Sequence, residues 1–417
     1  MSLSTAFPSV SPSLNLNFIR NNRLDPRITY TRSTTATYVG SDGYIKTAAI
    51  NEPRFEYDPV SLAPRGLLLE GPRTNLILYS DQIGNGSAWG VFDSTITANN
   101  AIAPDGTLNA DKLVASSTVI PYISTFGISI TSGSTYTYSI FVKPVEVTLI
   151  SMLLYGTDFG IDYANPSASF NLSTGAITAQ TTSGATITNF GNGWWRISIT
   201  QTATATNASA YNQMVRFANA PTAGQGLYVW GAQVEEAFFP SSYIQTTSAQ
   251  VTRAADAMAF TDTNFTQWYN QAGGAFVISS DTFKADNTAN TTYSRIFNLS
   301  DGSSTSRYTL FYNTTGGVSM TATGAGFNQS DSNSGVASKT TQKVGVNIQA
   351  NNSFLTHNGV QAGSTETAAV VLNYMNNLTF FKYGTSSDEV NYGWGHIQYL
   401  LYYQEPLTVA QLRTLTK

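Results

Sequence analysis

The sequence contains no cysteine, and only two histidines, His357 and His396, occur in its 417 residues. The first absence excludes a disulfide-stapled scaffold and any cysteine-ligated zinc site. The second leaves almost no candidates for a catalytic imidazole. Charge is scarce as well. Asp, Glu, Lys and Arg make up 11% of the chain, against roughly 25% in an ordinary soluble protein. No Lys/Arg run is present and the formal net charge is −4, so the electrostatic footprint of a nucleic-acid binder is missing. No apolar run approaches the roughly 20 residues of a membrane span, and the N-terminus has no basic-then-apolar leader. Membrane insertion is therefore not expected. Heptads and short repeated modules are also lacking, so a coiled-coil or solenoid shaft is not encoded.

What remains is a chain with 41% hydrophobic and 12% aromatic residues, enough to fill real cores. Its polar surface must come from Ser, Thr, Asn and Gln. Strand formers dominate and helical blocks are rare, so the expected class is all-β. The length predicts two or three domains. Residues 1–79 read as an N-terminal arm and a β-hairpin docking segment. The arm, residues 1–24, carries one short strand around Leu14–Phe18. The hairpin turns at Ser41-Asp42-Gly43, where Gly supplies the positive φ. From 80 to 248, short strands alternate with turn signals such as Gly191-Asn192-Gly193, the spacing of a β-sandwich. Residues 249–258 form a polar linker. A second strand series fills 259–417, with a hairpin turn at His357-Asn358-Gly359-Val360 and a closing helix over Pro406–Leu415. That series looks complete, so 259–417 is expected to fold alone.

Catalytic chemistry is thin. Glu235 and Glu236 are neighbours on a strand and point to opposite faces, so they do not form the carboxylate pair of a glycosidase. Asp388-Glu389 reads as a solvated turn. Neither histidine sits beside a nucleophile elbow. The expectation is a non-enzymatic protein with no cofactor. A structural calcium stays open, because acidic loops such as Asp301-Gly302 lack a recognisable ligand set.

Sugar contact asks for an aromatic face beside amides and carboxylates. Trp194 and Trp195 must face opposite sides of their strand, one into a core and one outward. Tyr392 and Trp394 flank Gly393, where a ligand could approach closely. These four are the candidate carbohydrate-binding residues, and Trp230 is assigned to the core. Arg54, Glu56, Asp58 and Arg73 concentrate charge around the hairpin and are assigned to assembly, as ions that fix geometry.

Four stretches carry a resemblance: ITYTRSTTATYVGSDGYIKTAAINEPRFEYDP, GLLLEGPRTNLILYS, GNGWWRISIT and GLYVWGAQVEEAFFPSSYIQTTSAQVTRAADAM. In order and spacing they resemble a family of tailed-phage structural proteins, over roughly residues 14–258. The resemblance implies virion or tail-fibre proteins with a carbohydrate-binding-module-like jelly roll. The ending GHIQYLLYYQEPLTVAQLRTL is similar to the last strand and helix of concanavalin A/laminin-G-like domains. The implied role is a tail fibre or adhesin that touches host-surface glycans. It would be made in the host cytoplasm, carried on the virion beside other virion proteins, and assembled as a homotrimer. The alternatives are a capsid decoration or head-fibre protein and a polysaccharide depolymerase.

Overall fold

The computed structural model describes residues 7–417 apart from 163, 183, 211–212, 283–293, 304, 314–316, 324–326, 331–339, 368–370, 373 and 382–392. Among the described residues the fold is all-β, two antiparallel sandwiches with two short helices. Alternation along the strands explains the layers. In Gly274–Ser280, Phe276 and Ile278 enter one core, while Ala275 and Val277 face the other side, under the closing helix. That is the period of two expected of a pleated strand covered on both faces.

The first sandwich is contiguous in sequence. One six-stranded sheet is ordered Thr186–Asn189, Trp195–Thr202, Thr135–Pro144, Gly226–Glu236, Leu108–Ala115 and Ser94–Ile102. It faces a second sheet that includes Leu149–Leu154 and Gln213–Phe217. Their core holds Tyr138, Ile197 and Val234 from one sheet against Ile150, Phe170 and Val215 from the other.

The second sandwich is not contiguous, and the expectation for the N-terminal region needs correction. Leu14–Asn17 pairs antiparallel with Gly395–Tyr403, and Pro64–Leu69 pairs with the same strand further along. Arg54–Tyr57 then adds to Pro64–Leu69. Thr29–Thr31 joins the opposing sheet through Ala257–Thr261. Residues 1–79 are thus not a separate docking segment. They supply strands to both sheets of the sandwich whose other strands come from 257–403. The physical reason lies in Leu14-Asn15-Leu16-Asn17-Phe18, whose three apolar side chains all enter the second core. The arm is ordered by pairing within its own chain. For the same reason residues 259–417 lack part of each sheet.

The Ser41-Asp42-Gly43 hairpin is where the sequence places it. Ala36–Val39 pairs with Ile45–Ala48, and Gly43 has φ +79°. It packs on the outer face of the first sandwich, where Ile45 joins Phe141, Trp194, Trp230 and Tyr243. The chain between Ala36 and Leu69 therefore touches both sandwiches. Val251–Arg253, inside the expected linker, pairs with Arg73–Asn75. The closing helix is shorter than expected, Val409–Leu415. Thr408 caps it, accepting from the Gln411 backbone in a capping box, so Pro406 leads into the helix from outside.

Candidate functional site

Where the two sandwiches meet, the sparse charges collect. Arg54 lies on the strand after the hairpin and is fully buried. Its Nη1 donates to Glu70 Oε2 at 2.7 Å, and its Nη2 bonds Asp256. Arg253 reaches Glu70 from the other side. Arg32 reaches Asp256 Oδ1 at 3.1 Å, and the Tyr30 hydroxyl donates to the same oxygen. The Ser242 amide donates to Glu70 Oε1 at 2.9 Å. Burial disfavours the ionised Glu70, but the Arg253 and Arg54 guanidinium groups outweigh it and hold the carboxyl well below its usual range. Three guanidinium groups face two carboxylates, which leaves one positive charge in excess. Carbonyl oxygens of Thr34, Thr37, Ala49 and Gly71 accept from further guanidinium donors, while the Nε atoms of Arg54 and Arg253 are buried without an acceptor.

A second buried pairing ties the hairpin side to the second sandwich. His396 is wholly buried. Its Nε2 lies 2.8 Å from Glu56, and its Nδ1 lies 3.0 Å from Asp281. Burial works against the imidazolium, but the Asp281 and Glu56 carboxylates overcome it and raise its pKa to about 9. With both ring nitrogens held by carboxylates, this group is a charged strut and is not positioned as a base.

Beside the hub opens a cleft of about 380 Å³. One wall is the hairpin and the strand after it, with Tyr38, Glu56, Tyr57, Asp58 and Arg65. The other is the edge of the first sandwich, with Thr186, Thr188, Asn189, Phe190 and Arg196. The floor is the exit segment around Phe239–Tyr243. One contact between the walls is close. A Cβ at Gly191 would lie 2.6 Å from the Pro59 carbonyl oxygen, and Gly191 has φ +75°. Only glycine lets the Gly191-Asn192-Gly193 turn come this near.

The residues singled out in the sequence fall as follows. Arg54 is the centre of the hub. Glu56 holds His396. Asp58 accepts from the backbone of Val60 and Ser61 and shapes the turn. Arg73 stacks on Trp394, its guanidinium carbon 4.0 Å from the ring centroid. Of the aromatic candidates, Trp194 and Trp394 are buried and not open to a ligand. Trp394 is 3% exposed and packs edge-on against Phe239 in the seam between the sandwiches. Trp194 is 2% exposed, and its indole N–H donates to the Ile102 carbonyl. Trp195 does face the opposite side, but it is half-buried against the first core and wedged over Gly175. The doublet alternates as expected, with Trp194 buried and Trp195 partly exposed. Tyr392 and Asp388-Glu389 lie outside the described residues. Trp230 is core and Glu235 is buried with Glu236 exposed, as read from the sequence. Asp301 accepts from the Ser303 backbone. Among the described residues no group of three or more His, Asp or Glu is placed to hold a metal ion.

No protein-family model matches the chain, and no curated protein matches it. Some solved structures are similar in part. The CBM40 module of a Ruminococcus gnavus IT-sialidase matches at 14% identity, covering 38% of this chain and 91% of that one, with a TM-score of 0.30. A heptameric SAP-like pentraxin from Limulus polyphemus matches at 11%, over 35% of this chain and 70% of its own, at 0.29. The receptor binding domain of a botulinum neurotoxin, mosaic serotype C/D, matches at 14% over 39% of each chain, at 0.29. Scores this low carry no functional inference.

Sequence reasoning missed Glu70, Ser242, Arg253, Asp256, Arg65 and Arg196 as site residues. A signal was there for the hub. In a chain with so few charges, Glu70 ends the apolar run Gly66–Leu69, and Arg253 and Asp256 sit in an otherwise uncharged stretch. Nothing local marks the cleft, because its walls come from residues far apart in sequence.

Proposed function

We propose that the chain is a non-enzymatic structural protein of a tailed-phage particle, a tail fibre or adhesin whose junction cleft contacts host-surface glycans. The observation that carries the glycan reading is the make-up of the cleft. Aromatic faces of Tyr38, Tyr57 and Phe190 stand beside the hydroxyl and amide groups of Thr186, Thr188 and Asn189. Sugars are bound by this mixture of ring stacking and neutral hydrogen bonding. The particle reading is supported by the resemblance of the four stretches, three of which contribute the hub residues. In this reading the protein is made in the host cytoplasm, displayed on the virion among other virion proteins, assembled as a homotrimer, and needs no cofactor.

The test is a glycan array probed with the full chain and with Phe190→Ala. Binding that the substitution abolishes supports the reading. Absence of binding to every glycan, or binding indifferent to Phe190, overturns it in favour of a decoration or head-fibre protein. Antibody labelling of particles locates the chain on tail or capsid.

One observation favours a second reading, the depolymerase. Glu56 and Asp58 both line the cleft. A glycosidase, however, needs one carboxyl that keeps its proton, on the opposite side of the bond from the other. Burial raises both carboxyls, but the His396 bond outweighs it at Glu56 and backbone amides outweigh it at Asp58. Both are held low, and both belong to one wall. Reducing sugar released from capsule or lipopolysaccharide would restore the depolymerase reading.

A further inference from the structure

The cleft's two kinds of charged group are not in the same condition. Its carboxylates are engaged. Glu56 accepts from the Val39 amide at 3.1 Å and holds His396. Asp58 accepts from two backbone amides and the Ser61 hydroxyl. Its guanidinium groups are not matched in this way. Arg196, on the first-sandwich wall, donates only to neutral acceptors, the Ser241 carbonyl at 2.8 Å and the Ser139 hydroxyl at 3.1 Å. Its Nε is buried with no acceptor. Among the described residues no carboxylate lies within ion-pair distance of Arg196, nor of Arg65 on the facing wall. Arg65 acts on Glu56 and Asp58 through its field alone. Burial depresses the Arg196 pKa, and the fields of Glu235, Glu70 and Glu56 only partly offset it. A desolvated guanidinium without an ionic partner is costly, and an anion brought to it gains a charge-assisted, bidentate bond.

We infer that the cleft takes a carboxylate-bearing sugar, with Arg196 and Arg65 approaching the acid group from opposite walls and the aromatic residues packing on the ring. This rests on the reading of the cleft as the glycan-contact site. It adds the class of sugar and the residues that select it. Neutral sugars offer only hydroxyls to the two arginines and leave the Arg196 desolvation uncompensated, so acidic glycans are preferred.

The experiment uses the full chain against an array of uronic-acid, sialylated, sulfated and neutral oligosaccharides. It is repeated with Arg196→Gln, Arg196→Lys, Arg65→Gln and Phe190→Ala, with melting temperature measured for each. The expected result is binding to carboxylate glycans, weakened at least tenfold by methyl esterification of the acid and by Arg196→Gln. Arg196→Lys keeps part of it. Arg65→Gln weakens binding less and leaves the melting temperature unchanged, so it tests the inference even if Arg196→Gln disturbs folding. Binding to neutral glycans that is lost in Phe190→Ala but kept in both glutamine variants overturns the acidic preference and leaves the cleft as the glycan site. Sulfated glycans bound in place of carboxylates overturn the named class. Binding to nothing, or binding untouched by all four substitutions, removes the cleft itself.

Discussion

The two sandwiches use the same strand chemistry but are assembled differently. The first is built from one continuous stretch, and its core runs from Ile77 to Val234. The second is built from both ends of the described chain, with Leu14, Leu16 and Phe18 beside Phe276, Leu400 and Tyr402 in one core. The first is therefore an insertion within the second, and the hub lies where the chain passes between them. The difference teaches where the charges are needed. A contiguous sandwich closes on local hairpins. A split one must fix the angle at which distant segments return, and directional ion pairs do this better than apolar contact alone.

The comparison makes its largest prediction for fragments. Residues 76–248 expressed alone will give dispersed amide resonances and a cooperative melt, whereas residues 259–417 will not fold. A cooperative melt of the second fragment would mean that the N-terminal strands are dispensable additions. Next come single changes at the junction. Glu70→Ala leaves Arg253 buried without a counter-ion and Arg54 with Asp256 alone, and should cost roughly 3–5 kcal/mol in urea unfolding. Trp394→Ala should cost a similar amount, roughly 3–5 kcal/mol, without an effect on glycan binding beyond that of lost stability. Normal stability in either variant would show that the junction is soft.

The His396 strut adds a pH dependence. Its folded-state pKa, about 9, lies above the usual value of roughly 6.5. The stabilisation is therefore complete below about pH 6.5 and is lost as pH rises through about 9, on the order of 3 kcal/mol in all. Chemical denaturation between pH 6 and 10 measures it. His396→Gln should flatten that slope, and an unchanged slope would assign it to another group. The smallest effect is expected at Gly191→Ala, where positive φ and the Pro59 carbonyl together should cost about 1–2 kcal/mol. The same change should weaken sugar binding by shifting one wall.

The strands were legible where alternation and turn residues agree. Leu149–Leu154 lies in the strand series expected over 80–248, and Ser353–His357 and Gly395–Tyr403 lie in the one expected over 259–417. At His357–Val360 the hairpin turn has Asn358 at φ +45° and Gly359 at φ +81°. Pairing across the insertion was not legible, because Leu14-Asn15-Leu16-Asn17 states that one face is buried but not against which strand. The site divides in the same way. Arg54, Glu56 and Arg73 stood out as a concentration of charge near the hairpin; Arg54 and Arg73 are buried at the junction and Glu56 is half-buried there. Trp394 was not legible, because an aromatic next to glycine looks the same in sequence whether a sugar or a neighbouring domain covers it. Trp394 is covered by Arg73 and Phe239.

The backbone bond from the Ser13 amide to the Tyr402 carbonyl spans 389 positions of sequence. On a ribosome adding roughly 5–20 residues per second, the strand at Leu14 emerges tens of seconds before its partner exists. During that wait its exposed edge is open to other chains, and Asn15 and Asn17, alternating with the leucines, make it a less sticky one. A chain cut short before about residue 399 never closes its second sandwich at all. Its arginines and acids are then left with no fixed frame in which to meet, and such a product is marked for proteolysis by the strands it cannot pair.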